Sequence, residues 1–125
     1  MGMKERPTKE QVARLWKWCG FIVKPDEQYP TWEELFAPTG ERIMGSKKIT
    51  PDLFPEIDLN NLFKWAVPKL EPIQIHFKRQ TAYPEHIGEI NCWFYYQEKQ
   101  YAGWGTTPTL ALFWAIYDLI EFKSD

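Results

Sequence analysis

Two cysteines, Cys19 and Cys92, and two histidines, His76 and His86, are the side chains of this chain best suited to bind a transition metal. A zinc site needs them at short, repeated spacings, and neither Cys-x-x-Cys nor His-x-x-x-His occurs. Strand phase also places His76 and Cys92 on opposite sheet faces, so no metal or cofactor is expected. Cys92 sits in the middle of an alternating apolar run, whereas reactive thiols are partly exposed in electropositive surroundings. The acid pairs Asp26-Glu27 and Glu33-Glu34 are adjacent in sequence and diverge on a helix or a strand, while two-carboxylate catalysis needs convergence. With only Ser46 and Ser124 available, no Ser-His-Asp set can be assembled. No catalytic residue is assigned, and the chain is read as non-enzymatic.

Two features could still bind a ligand. Gly103-Trp104-Gly105-Thr106-Thr107 runs into a helix start, and helix N-termini hold anions. No Gly-Lys-Ser/Thr follows, so the two glycines are read instead as places where a strand runs close to the helix it feeds. The second feature is a set of rings, His76, Trp93 and Tyr95, that alternation places on the face of a sheet opposite its apolar core. Rings on a sheet can stack bases, so these three are the candidate ligand-binding residues if that face is open. The expectation is that it is covered, with aromatic residues of positions 1–57 (Trp16, Trp18, Tyr29, Trp32 and Phe36) packing over Trp93 and Tyr95.

The elements that position these residues can be read along the chain. Thr8 and Gln11 form a capping box, Val12, Leu15, Trp16 and Cys19 make one apolar stripe, and Gly20 ends the helix. Phe21 to Val23 reads as a short extended piece. Residues 24–57 carry five prolines and two glycines and read as ordered but irregular, with one helical turn expected from Thr31 and Glu34 through Leu35-Phe36. Asp58 caps a second helix whose last turn Pro68 should kink or shorten. Strands are expected from Ile73, with Ile73, Ile75 and Phe77 on the core face, and from Ile90, with Ile90, Cys92, Phe94 and Tyr96 on that face. A turn at Glu98-Lys99 leads into a third strand ending at Trp104. Thr107-Pro108 opens a final helix that is apolar nearly all round from Leu110 to Ile120. The fold class is therefore α+β: a three-stranded antiparallel meander between helical layers, in one domain spanning residues 1–125. Ile75, Phe77, Phe94, Leu112 and Ile116 are expected to share its core.

Seven Trp, six Tyr and eight Phe in 125 residues are too many large rings for a disordered chain. Net charge is −2, with a basic stretch before Pro25 and an acidic one from there to Phe63. That balance disfavours a phosphate-tracking surface, and the basic stretch reads as a solvated helix face. No apolar run approaches the ~20 residues of a membrane span. Neither a signal peptide nor a lipid anchor is read, since Arg6 stands where myristoylation wants Ser or Thr.

The chain resembles the phage ABA sandwich family, small proteins of bacteriophages and prophages. The likeness rests on Leu15-Trp16-Lys17-Trp18-Cys19-Gly20, on Pro51-Asp52 before Asp58-Leu59-Asn60-Asn61-Leu62, and on Thr107-Pro108-Thr109-Leu110-Ala111-Leu112. It implies an α-β-α layered fold and a mobile-element origin, and it carries no catalytic residue across. Two cysteines, too few and too widely separated for a secreted disulfide scaffold, make the cytoplasm, here that of a host bacterial cell, the expected location. The functional expectation is a binding or accessory protein acting on a host or phage protein or on itself. The alternative is a nucleic-acid-binding module using the aromatic sheet face. The helix-strand-strand-strand-helix order is that of double-stranded-RNA-binding domains, but Thr107-Pro108-Thr109 has no Lys or Arg cluster, so nucleic acid is the less expected partner.

Overall fold

A computed structural model of the chain describes residues 6–81 and 84–124. The described residues form an α+β protein with two three-stranded antiparallel sheets, grouped into two compact units that divide after Glu56.

In the first unit, Pro7–Glu56, helix α1 covers Lys9–Cys19. The capping box forms: Thr8 Oγ1 accepts the Gln11 amide at 3.1 Å and the Thr8 amide donates to Gln11 Oε1 at 2.9 Å. Gly20 ends the helix with φ at +114°, a conformation that a Cβ would strain. Leu15 and Trp16 are buried on its inner face, and the Trp16 indole N–H donates to the Pro55 carbonyl at 2.6 Å.

The stretch expected to be irregular holds a sheet instead. Strands β1 (Ile22–Pro25), β2 (Glu33–Phe36) and β3 (Arg42–Ser46) pair in sequence order. Prolines forbid long elements there, but Pro30 and Pro38 fall in the connections and Pro25 ends an edge strand, where a missing amide costs little. Four- and five-residue strands fit between them. The helical turn expected at Thr31 to Phe36 is therefore strand β2, and Glu34, which was to close the capping box, bonds across the sheet instead. Glu33 Oε1 accepts the Ile49 amide at 2.7 Å, and Glu34 pairs with Arg42 at 2.9 Å. Asp26 organises the first hairpin loop by accepting the amides of Gln28 and Tyr29.

The second unit begins at Ile57. Asp58 caps α2 (Leu59–Asn61), accepting the Asn61 amide at 2.7 Å, and the coil continues as a π-turn over Leu62–Ala66 and a 3-10 turn over Val67–Lys69. The tightened end at Pro68 is the shortening expected of it. Strands β4 (His76–Arg79), β5 (Ile90–Tyr96) and β6 (Lys99–Gly105) form the meander, and helix α3 (Pro108–Ser124) packs on β6 and β5. The Thr107 cap holds, with its Oγ1 accepting the Leu110 amide at 3.2 Å.

Register and burial sort the second sheet into two faces. Ile90, Cys92 and Phe94 lie opposite Gly105, Gly103 and Tyr101, all buried on the side that meets α3. A Cβ built on Gly103 would stand 2.3 Å from the Ala115 amide nitrogen and 2.5 Å from the Ala111 carbonyl. These two glycines therefore let a strand and a helix touch backbone to backbone, the structural reading expected of them. Phe94, Leu112 and Ile116 are fully buried as expected, but Phe77 is 40% exposed and Ile75 only half-buried. All four residues of β4 are exposed, since α3 spreads its contacts over β5 and β6 and leaves this edge strand at the rim.

Two boundaries also differ from expectation. The β4 ladder starts at His76 rather than Ile73. The β5–β6 turn is Gln97-Glu98 rather than Glu98-Lys99, with both residues at positive φ (52° and 68°) and Tyr96 paired to Lys99. That is the mirror-image turn whose twist suits a two-residue hairpin. The side chain of His86, one of the four considered as metal ligands, lies outside the described residues.

Candidate functional site

The face of the second sheet turned away from α3 is set by the same register. Across it run Lys78, Asn91 and Trp104 in one row and His76, Trp93 and Ala102 in the next, with Tyr95 beside Gln100 in a third. His76 and Trp93 are direct cross-strand partners, and their rings stack at 5.2 Å between centroids with 12° between planes. Asn91 is fixed by donating from Nδ2 to the Gly103 carbonyl at 3.0 Å. Tyr95 turns its hydroxyl toward Gln100 Oε1 at 3.4 Å.

The three candidate residues therefore share one surface, as expected. Their expected burial is not found: Tyr95 is 59% exposed, His76 is exposed and Trp93 is half-buried. The aromatic residues expected to cover them do not all pack either, since Tyr29 is 62% and Trp32 37% exposed. Trp104 is a fourth ring on this face that the sequence reading did not single out. The signal was present in the alternation of Gln100, Ala102 and Trp104 against buried Tyr101, Gly103 and Gly105.

Beside Tyr95 the sheet splits. The β4–β5 ladder stops at the His76–Trp93 pair, and the chain before His76 leaves β5 through Gln74, Ile73 and Pro72. Those three residues, His76 and Tyr95 line an open cleft of about 320 Å³, a size at the low end of ligand clefts. Its walls are a proline, an aliphatic side chain and two rings, with one amide as the neutral polar group. None of the five lining residues is a carboxylate, and neither is any of the eight ladder positions on this face.

The nucleophile and metal candidates lie elsewhere. Cys92 is fully buried on the α3 side, and burial pushes its thiol up to about 12, so it stays protonated at neutral pH. Cys19 is buried in the other unit. Among the described residues, no three His, Cys, Asp or Glu side chains converge as metal ligands would, and no helix is long and apolar enough to cross a membrane. No family model matches the chain, and neither a curated protein nor a solved structure is similar to it.

Proposed function

We propose that this chain is a non-enzymatic binding protein that works through the outer face of its second sheet, and that its partner is another protein. The observation that carries this reading is the open ring surface: Tyr95 is 59% exposed next to the stacked His76 and Trp93, on a sheet whose other face is locked to α3. Rings held on a rigid element are the usual anchors of protein interfaces, because they supply large contact area while losing little side-chain freedom. The cleft beside them offers apolar walls and few polar groups, which suits a side chain or a short peptide segment.

Base stacking is the second reading, favoured by the same rings and by the lack of carboxylates around them. It ranks lower because Lys78 is the one lysine among the eight outer-face ladder positions, too little cationic charge to follow a phosphate chain. A place among phage or prophage accessory proteins is part of the proposal and rests on the sequence resemblance, and the cytoplasm of a host cell rests on that resemblance together with the two widely separated cysteines.

Panning a random displayed-peptide library against the full chain tests the assignment. Enriched peptides should bind the parent and lose about tenfold or more in affinity on Tyr95→Ala, as an interface anchor does. Peptides that bind Tyr95→Ala and Trp93→Ala as well as the parent would move the site off this face. Sub-micromolar, salt-sensitive binding of oligothymidylate without peptide enrichment would replace the protein partner by single-stranded nucleic acid.

A further inference from the structure

We infer that the split between β4 and β5 accepts an extended, acidic polypeptide segment of the partner, which adds to the sheet as a short strand beside Tyr95; this rests on the proposed function and names its binding mode. The argument starts with the direction of backbone groups. The Ala102 amide donates outward, to Asp118 Oδ2 at 3.4 Å, so it points away from β5. Ala102 and its partner Trp93 are therefore one of the antiparallel pairs that exchange no hydrogen bonds. Such pairs alternate along a ladder, so Tyr95 and Gln100, two positions on, are another. The N–H and C=O of Tyr95 must then point away from β6, to the side where β4 would lie.

No strand lies there. Extending the register beyond His76–Trp93 would set Gln74 opposite Tyr95, but the ladder has ended and Gln74 lines the cleft instead. The cleft thus presents one backbone donor and one acceptor of a strand, flanked by the exposed rings of Tyr95 and His76. A small molecule has no need of that pairing, whereas an extended polypeptide matches it, as in other cases of strand addition at a sheet edge.

Charge selects the kind of segment. Lys78 stands on the strand bordering the cleft, and neither the five lining residues nor the eight outer-face ladder positions hold a carboxylate, in a chain whose net charge is −2. A segment carrying Asp or Glu meets complementary charge here, and a basic one does not.

The test uses the library-enriched peptides against the full chain, with single N-methylation along the peptide and amide hydrogen exchange at Tyr95. Strand addition predicts that enriched peptides carry acidic residues and that binding slows exchange of the Tyr95 amide. It also predicts that N-methylation weakens binding by about tenfold at the one peptide position whose N–H donates to the Tyr95 carbonyl and little at the others, the effect of losing one backbone hydrogen bond. Lys78→Gln should reduce affinity and its dependence on salt. Indifference to N-methylation at every position, with binding still lost on Tyr95→Ala, overturns strand addition while the ring face remains the site. Binding that survives both Tyr95→Ala and Trp93→Ala overturns both. Failure to enrich any peptide, or enrichment of basic ones only, also overturns the inference. Because N-methylation alters the peptide and not the protein, loss of folding in a variant cannot imitate the expected pattern.

Discussion

Cys92 shows how position along a strand decides the chemistry of a side chain. It lies between two outer-face residues, Asn91 and Trp93, yet it points under α3, is fully buried and holds its proton to about pH 12. The sign of the resulting pH effect follows from where each state ionises. Above the ordinary thiol value of 9.0 the unfolded chain releases this proton while the folded chain keeps it, so stability is complete below that pH and falls as pH rises toward 12. One unit above the unfolded value the loss should be about 1.4 kcal/mol. Tyr101, also raised by burial and by Asp118, pulls in the same direction at higher pH. Denaturant midpoints measured at neutral and alkaline pH should therefore separate the parent from Cys92→Ala, whose alkaline decline is shallower. Equal declines would place the Cys92 thiol in contact with water.

Gly103 permits the close approach of α3 to β6. With helix backbone 2.3–2.7 Å from the site of a Cβ, Gly103→Ala must push the helix away, and the expected cost is about 3 kcal/mol, at the upper end for overpacking. Thermal or denaturant unfolding measures it directly, and a near-neutral result would mean that helix and sheet are not in backbone contact. The β5–β6 turn should respond in the opposite direction. Gln97 and Glu98 both stand at positive φ, so replacing them by Asn and Gly should stabilise the hairpin by about 0.5–1 kcal/mol. Elements with a local signature were legible in the sequence: the Thr8–Gln11 capping box, the Thr107-Pro108 helix start, the shortening at Pro68 and the alternation along β5. The small sheet of the first unit was not, because strands of four or five residues are too short to show a period. The prolines that correctly forbade long elements also hid the short ones. The turn was displaced by one residue because neither Gln97 nor Glu98 carries the glycine or asparagine that marks positive φ.

Alternation alone assigned His76, Trp93 and Tyr95 to one face correctly, but it could not say whether that face was open. Openness depends on what surrounds the sheet, and no periodicity encodes it. The expectation of a covered face came from the number of rings available to cover it, yet a chain with seven Trp, six Tyr and eight Phe has enough to leave several exposed. The split beside Tyr95 was equally hidden, since Ile73 and Ile75 continue the alternation of a strand that the ladder never reaches. The most direct measurement is the pair of free energies for Tyr95→Ala in the full chain: unfolding, and binding of a library-enriched peptide. An open binding face predicts unfolding within about 1 kcal/mol of the parent, as for exposed strand positions, together with a loss of about tenfold or more in binding. A stability loss of about 3 kcal/mol or more with binding unchanged would show instead that Tyr95 is a packing residue and that this face is not the site.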